Sequence, residues 1–167
     1  MSHAQNKVDW CLKKAEKELS EKGKHRGLVK IEPSKDRARE YAKKAEHYIE
    51  ATLFLQKKFS DISASTSFYS IYHSLLAILA KFGYESRNQE CTFAVIYSLI
   101  ENKKINIEKS IIDKVSLLNN KKDKETITDI REQYQYGTEL SMKEELYKDT
   151  LKLAKKILGK AKEIIEQ

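Results

Sequence analysis

The chain has 167 residues, of which 40% are hydrophobic and 34% charged, with five glycines and one proline; that is enough chain for one core without disulfides or metal, and too few turn formers for an all-β fold. The formal charge of +7 and pI near 9.2 favour polyanions such as RNA, or an acidic protein, as partners. The opening "MSHAQNKVDW" lacks the apolar core of a secretory signal, and no later run approaches the roughly 20 apolar residues of a membrane span, so the expected location is cytoplasmic, with no membrane association.

In chain order, residues 5–22 carry Val8, Cys11, Leu12, Ala15 and Leu19 at spacings of three and four, one narrow apolar stripe on a charged helix that must lean on another element. The helix is expected to end near Gly23, and "GKHRGLVKIEP" reads as a basic connector whose Pro33 and Ser34 announce the next helix. Residues 34–59 form a long amphipathic helix through Ala38, Tyr41, Ala42, Ala45, Tyr48, Ile49, Thr52, Leu53 and Leu55. Its lysines alternate with glutamates, as they do in "KKAEKE", a pattern of solvated faces with i,i+3 and i,i+4 ion pairs.

After a break at "SDIS", residues 63–82 are apolar or small on nearly every side, and no charge appears before Lys81. A helix of that kind is central. Its small residues Ser63, Ala64, Ser65, Ser67, Ser70, Ser74 and Ala77 permit close approach of a neighbour, within the bundle or across a dimer interface. Gly83 stops this helix, and Ser86 with Gln89 has the spacing of a capping box for a helix from about Arg87 to Glu101. A shorter helix is expected over 107–118, a polar turn at "NNKKDK", a segment near 124–136 running to Gly137, and a terminal helix opened by a second capping box, Ser141 with Glu144.

No strand-like alternation, phosphate-binding glycine loop or internal repeat stands out. The expected fold class is therefore all-α, an up-and-down helical bundle of four main helices with short additional helices. Cys11 and Cys91 each sit inside a helical pattern with no Cys or His partner nearby in sequence, so both read as packing residues and neither a disulfide nor a metal site is expected.

The stretch "SASTSFYSIYHSLLAILAKFGYESRNQECTFAVI", residues 63–96, resembles the HEPN family of small α-helical bundles, in particular prokaryotic members with an aromatic-rich "FYSIYH" helix, a "KFGYES" turn and a following amphipathic helix. The resemblance divides the chain into an N-terminal helix and basic connector over 1–31 and a HEPN-like bundle over 32–167. It implies a homodimer, association with RNA, a toxin–antitoxin or defence context and a small nucleotidyltransferase as partner. Active members of the family carry an arginine followed a few residues later by a histidine, paired across the dimer. In "IREQYQYGTELS", Arg131 matches the arginine and Tyr136 stands where the histidine is expected. Metal-free RNA cleavage needs a proton carrier near neutral pH and a cation for the phosphorane-like transition state. A phenol, with its ordinary pKa of about 10, is a poor general base there.

The expected function is thus a dimeric RNA- or nucleotide-associated module with a degenerate catalytic motif and no cofactor. Two alternatives stand beside it: a metal-independent endoribonuclease using Arg131 with Tyr136 or His73, and a non-catalytic protein-interaction scaffold. His73 lies one turn after Tyr69 in the central helix and can serve as a core hydrogen-bonding group instead. Arg131 can likewise pair with Asp129 or Glu132 while the tyrosines pack. Lys24, Arg26 and Lys30 make the connector a candidate phosphate contact, with His25 among them, and Arg87 and Asn88 at a helix start are candidate anion ligands.

Overall fold

A computed structural model describes residues 1–116 and 125–167. Among the described residues the chain is helical apart from one small sheet. The elements are α1 (His3–Lys22), β1 (Leu28–Lys30), α2 (Lys35–Leu55), α3 (Ser60–Lys81), β2 (Tyr84–Ser86), α4 (Gln89–Glu101), α5 (Lys109–Asp113), α6 (Ile127–Tyr136) and α7 (Glu144–Glu166). The all-α bundle is as the composition required. No described helix is long and apolar enough to cross a membrane.

The centre of the molecule is α3, whose residues from Ser74 to Ala80 are all buried. Its small side chains bring α2 alongside: Ser70 donates from Oγ to the Ala45 carbonyl at 2.8 Å, Ser63 donates to the Thr52 carbonyl at 3.3 Å, and Ala38, Ala42 and Ala45 pack against Ala77 and Ala80. The close approach that the small residues permit is therefore made within the chain, and the pairing of Ala45 with Ser70 and Thr52 with Ser63 shows α2 and α3 to be antiparallel. Helix α7 closes the layer. At one end of it the Met142 amide donates to Ser60 Oγ at 2.8 Å and the Tyr147 hydroxyl to the Thr52 carbonyl at 3.0 Å. At the other, Lys81 donates from Nζ to the Ile164 and Ile165 carbonyls, and Arg39 grips Glu166 through Nε at 2.9 Å and Nη2 at 3.0 Å. Cations at a helix C-terminus complement its exposed carbonyls and dipole.

Two sequence expectations are corrected here. The connector is not wholly a solvated loop: Leu28–Lys30 pairs antiparallel with Tyr84–Ser86, Val29 opposite Glu85, forming a two-stranded sheet that no alternation pattern signals in three-residue strands. Cys11 and Cys91 are not merely packing residues. They form a disulfide, Cα to Cα 6.0 Å, across 80 positions of sequence. The narrow stripe of α1, with Ala4, Val8, Cys11 and Ala15 buried, lies antiparallel on α4, where Gln5 accepts from Ser98 Oγ at 2.7 Å and Lys7 pairs with Glu90 at 3.1 Å. Partners so far apart in sequence are found only by that docking.

Helix boundaries also differ in their chemistry. Asn88, rather than Ser86, caps α4 by accepting from the Cys91 amide at 2.9 Å, and Ser86 hydrogen-bonds the Asn88 backbone. The box expected at Ser141 is absent: α7 starts after Lys143 without a side-chain cap, while Thr126 and Asp129 form a capping box on α6. The polar turn expected at "NNKKDK" lies outside the described residues. Gly83 does end α3, at φ +80°, where a Cβ would stand 2.8 Å from the Ile31 carbonyl oxygen. Gly23 ends α1 at φ 67°.

Candidate functional site

Arg131 lies on α6 where that helix crosses α3. Its guanidinium sits over the Phe68 ring, 4.7 Å from the centroid, and its side chain is only 12% exposed. Nη1 donates to Gln135 Oε1 at 2.6 Å and Nη2 is 3.8 Å from Glu132 Oε1, while the buried Nε has no hydrogen-bond partner among the described residues. Asp129, the other carboxylate within reach in sequence, is committed to the Thr126 cap. Tyr136 ends the same helix and is 77% exposed, whereas Tyr134 is buried in the core.

His73 is half-buried on a different side of α3. Phe68 and His73 are five residues apart, about 140° around the helix axis, so the face that carries Arg131 and the face that carries His73 are distinct within one protomer. The imidazole Nδ1 is 2.8 Å from the Tyr69 carbonyl, and its ring lies 5.2 Å from Tyr48, 6.2 Å from Tyr41 and 6.3 Å from Tyr72. Burial pushes its pKa down, the Tyr69 carbonyl works against that, and the charge of Lys44 lowers it further. The imidazole is therefore neutral at pH 7.

The remaining candidates are scattered. Lys24, Arg26 and Lys30 are exposed, with the Arg26 amide donating to Glu18 at 2.8 Å. His25 is buried instead of solvated: its Nδ1 accepts from the Gly27 amide at 3.3 Å and its Nε2 lies 3.7 Å from Glu85 Oε1. Asn88 is a helix cap, as above, and Arg87 faces Glu85 at 3.4 Å. Glu85 is thus a hub. His25 from the connector, Arg37 from α2 at 2.8 Å and Arg87 all converge on it, which ties the sheet to the bundle and leaves more positive than negative charge around one carboxylate.

A second constellation, which the sequence reading did not single out, lies along one flank of α2. Arg37, Tyr41, Lys44 and Tyr48 stand at i, i+4, i+7 and i+11, hence on one stripe. Arg37 lies 6.0 Å from the Tyr41 ring and Lys44 5.3 Å from the Tyr48 ring, and Tyr69 and His73 of α3 flank the same rings. The alternation is present in "RAREYAKKAEHY", but without the α3 rings beside it the segment is indistinguishable from any lysine-rich amphipathic helix. No group of three or more His, Cys, Asp or Glu side chains able to hold a metal occurs among the described residues.

Comparison with models of protein families and with curated proteins finds no match for the chain.

Proposed function

We propose that the protein is an RNA-associated helical module of HEPN-like type that binds without cutting, working as a homodimer in a toxin–antitoxin or defence setting beside a small nucleotidyltransferase. The observation that carries the non-catalytic half of this reading is the separation of Arg131 from both candidate proton carriers, Tyr136 and His73: its guanidinium is enclosed on Phe68 and hydrogen-bonded to Gln135, while Tyr136 projects into solvent and His73 belongs to another face of α3. General acid–base catalysis requires the exchanging group within hydrogen-bond reach of the reacting atoms. Net charge and the resemblance of the 63–96 stretch supply the RNA half.

The endoribonuclease reading draws its support from Nε of Arg131, buried and without a hydrogen-bond partner among the described residues, a donor that a phosphate would satisfy once the guanidinium turned outward. The test is a cleavage assay in EDTA comparing the wild type with Arg131→Ala and Tyr136→His. Under the binding reading the wild type is inert, and Tyr136→His gains rate, by about 10²–10⁴, only where a dimer brings position 136 to an Arg131. Brisk wild-type cleavage abolished by Arg131→Ala makes the protein a nuclease. Light scattering at micromolar concentration reads the dimer directly.

A cytosolic location belongs to the same proposal. The Cys11–Cys91 disulfide weighs against it, because such bonds persist mainly in oxidising compartments. Mass measurement of protein isolated under thiol-blocking conditions decides between the bonded and free forms.

A further inference from the structure

We propose that the flank of α2 bearing Arg37, Tyr41, Lys44 and Tyr48, together with Tyr69 and His73 of α3, is a binding track for single-stranded RNA, with bases stacking on the rings and phosphates lying against the two cations. The inference deepens the RNA-associated reading, and rests on it for the identity of the ligand, but it concerns a surface separate from Arg131 and Tyr136.

The geometry has three parts. First, cation and aromatic alternate along one stripe of α2, each kind recurring after seven residues, about 10.5 Å or roughly three stacked nucleotides, so one strand can meet both. From Arg37 to Tyr48 the stripe runs roughly 16 Å at 1.5 Å per residue, the length of about five stacked nucleotides at 3.4 Å each. Second, the rings are half-buried. They pack on α3 in tilted geometry, with Tyr48 5.6 Å from Tyr69 and 5.2 Å from His73, so the rings are held in place before a base arrives and less ordering entropy is lost on binding. Sequence-tolerant stacking on such platforms beside a basic track is how single strands are held. Third, His73 is kept neutral by burial, and a neutral imidazole offers a flat aromatic face with no competing ion pair.

Two acids, Asp36 and Glu40, line the same cleft; Asp36 is bridged at 3.1 Å to Arg39, a cation it shares with Glu166, and Glu40 stands beside the track's own cations. Arg37 already pairs with Glu85, which it shares with Arg87 and His25, so the cluster around that carboxylate retains net positive charge. A duplex fits this surface poorly, because its bases are stacked inward and unavailable to the rings.

The test is fluorescence anisotropy with end-labelled oligouridine and oligoadenosine, single-stranded and annealed as a duplex. The track predicts that both single strands bind and the duplex binds more weakly. The Tyr41→Leu, Tyr48→Leu double variant, which keeps apolar packing but loses both rings, should bind about tenfold or more weakly, while the corresponding double Phe variant binds as the wild type does. An unchanged affinity in the Leu variant overturns the track. Loss of binding only on replacing Lys24, Arg26 and Lys30 overturns the track and leaves the RNA-associated reading intact, whereas a wild type that binds no single strand overturns both. Should the Leu variant not fold, photocrosslinking of the wild type to a 4-thiouridine oligomer substitutes: crosslinks at Tyr41, Tyr48 or His73 support the track, and crosslinks confined to other helices overturn it.

Discussion

Cys11 in α1 and Cys91 at the start of α4 are covalently joined, and the bond staples to the core an N-terminal helix whose other buried residues are Ala4, Val8 and Ala15. A link across 80 residues removes much of the freedom of the unfolded chain. Reduction, or a Cys11→Ser, Cys91→Ser double variant, should lower unfolding free energy by about 2–4 kcal/mol, read from urea midpoints with and without reductant. Coincident midpoints for the oxidised and reduced chain would contradict it. Amide exchange should quicken first in α1, since its apolar seam is narrow.

Gly83 permits a turn that no other residue makes cheaply. Its φ is +80°, and an added Cβ would press on the Ile31 carbonyl and on Pro33. Gly83→Ala should destabilise by about 1–2 kcal/mol from the backbone conformation alone, and more if the Ile31 carbonyl cannot withdraw. Gly23→Ala, with open space around it at φ +67°, bears the conformational cost without the collision, so thermal unfolding should rank the two variants in that order.

The α2–α3 contact depends on alanine. Ala45 is fully buried and its carbonyl accepts from Ser70. Ala45→Leu should cost about 1–3 kcal/mol by overpacking, whereas enlarging an exposed position of the same helix, such as Lys43→Leu, should leave stability almost unchanged. Equal effects at both positions would mean that the helices do not meet at Ala45.

His73 predicts a pH dependence with a definite sign. Its folded pKa is lowered, by burial first, so the unfolded chain binds the proton more readily. The stability contributed by the neutral ring is complete above the ordinary histidine value of about 6.5 and is lost as pH falls from there toward the lower folded value. Denaturation midpoints should therefore fall between pH 7.5 and 5.5, and His73→Gln should flatten that part of the profile. An imidazole that titrates at or above the ordinary value by NMR would refute the burial argument.

How much of this was legible in advance depends on range. Gly23, Gly83 and Ser34 act within a few residues of themselves, and each ends or starts a helix as its chemistry requires. The core periodicity of α3 is equally local. Ser141 shows the limit of such reasoning: it has the right spacing for a cap, but α7 begins after Lys143 and Met142 is drawn to Ser60 instead. For the site, the resemblance of one stretch to a known family drew attention to Arg131 and Tyr136, but nothing in the sequence indicated the seat of Arg131 on Phe68, which depends on how α6 crosses α3.

By itself the sequence determined a mainly helical chain with a buried, small-residue central helix and a basic, lysine-rich exterior, because hydrophobic period, capping and turn preference are properties of neighbouring residues. Tertiary structure alone decided which distant groups meet. The disulfide needs α1 to dock on α4, the hub at Glu85 needs the connector to return as β1 beside β2, and the row of rings from Tyr41 to Tyr48 acquires Tyr69 and His73 only when alanines and serines let α2 lie against α3. Contacts of that kind are settled by the packing of whole helices, and no local pattern encodes them.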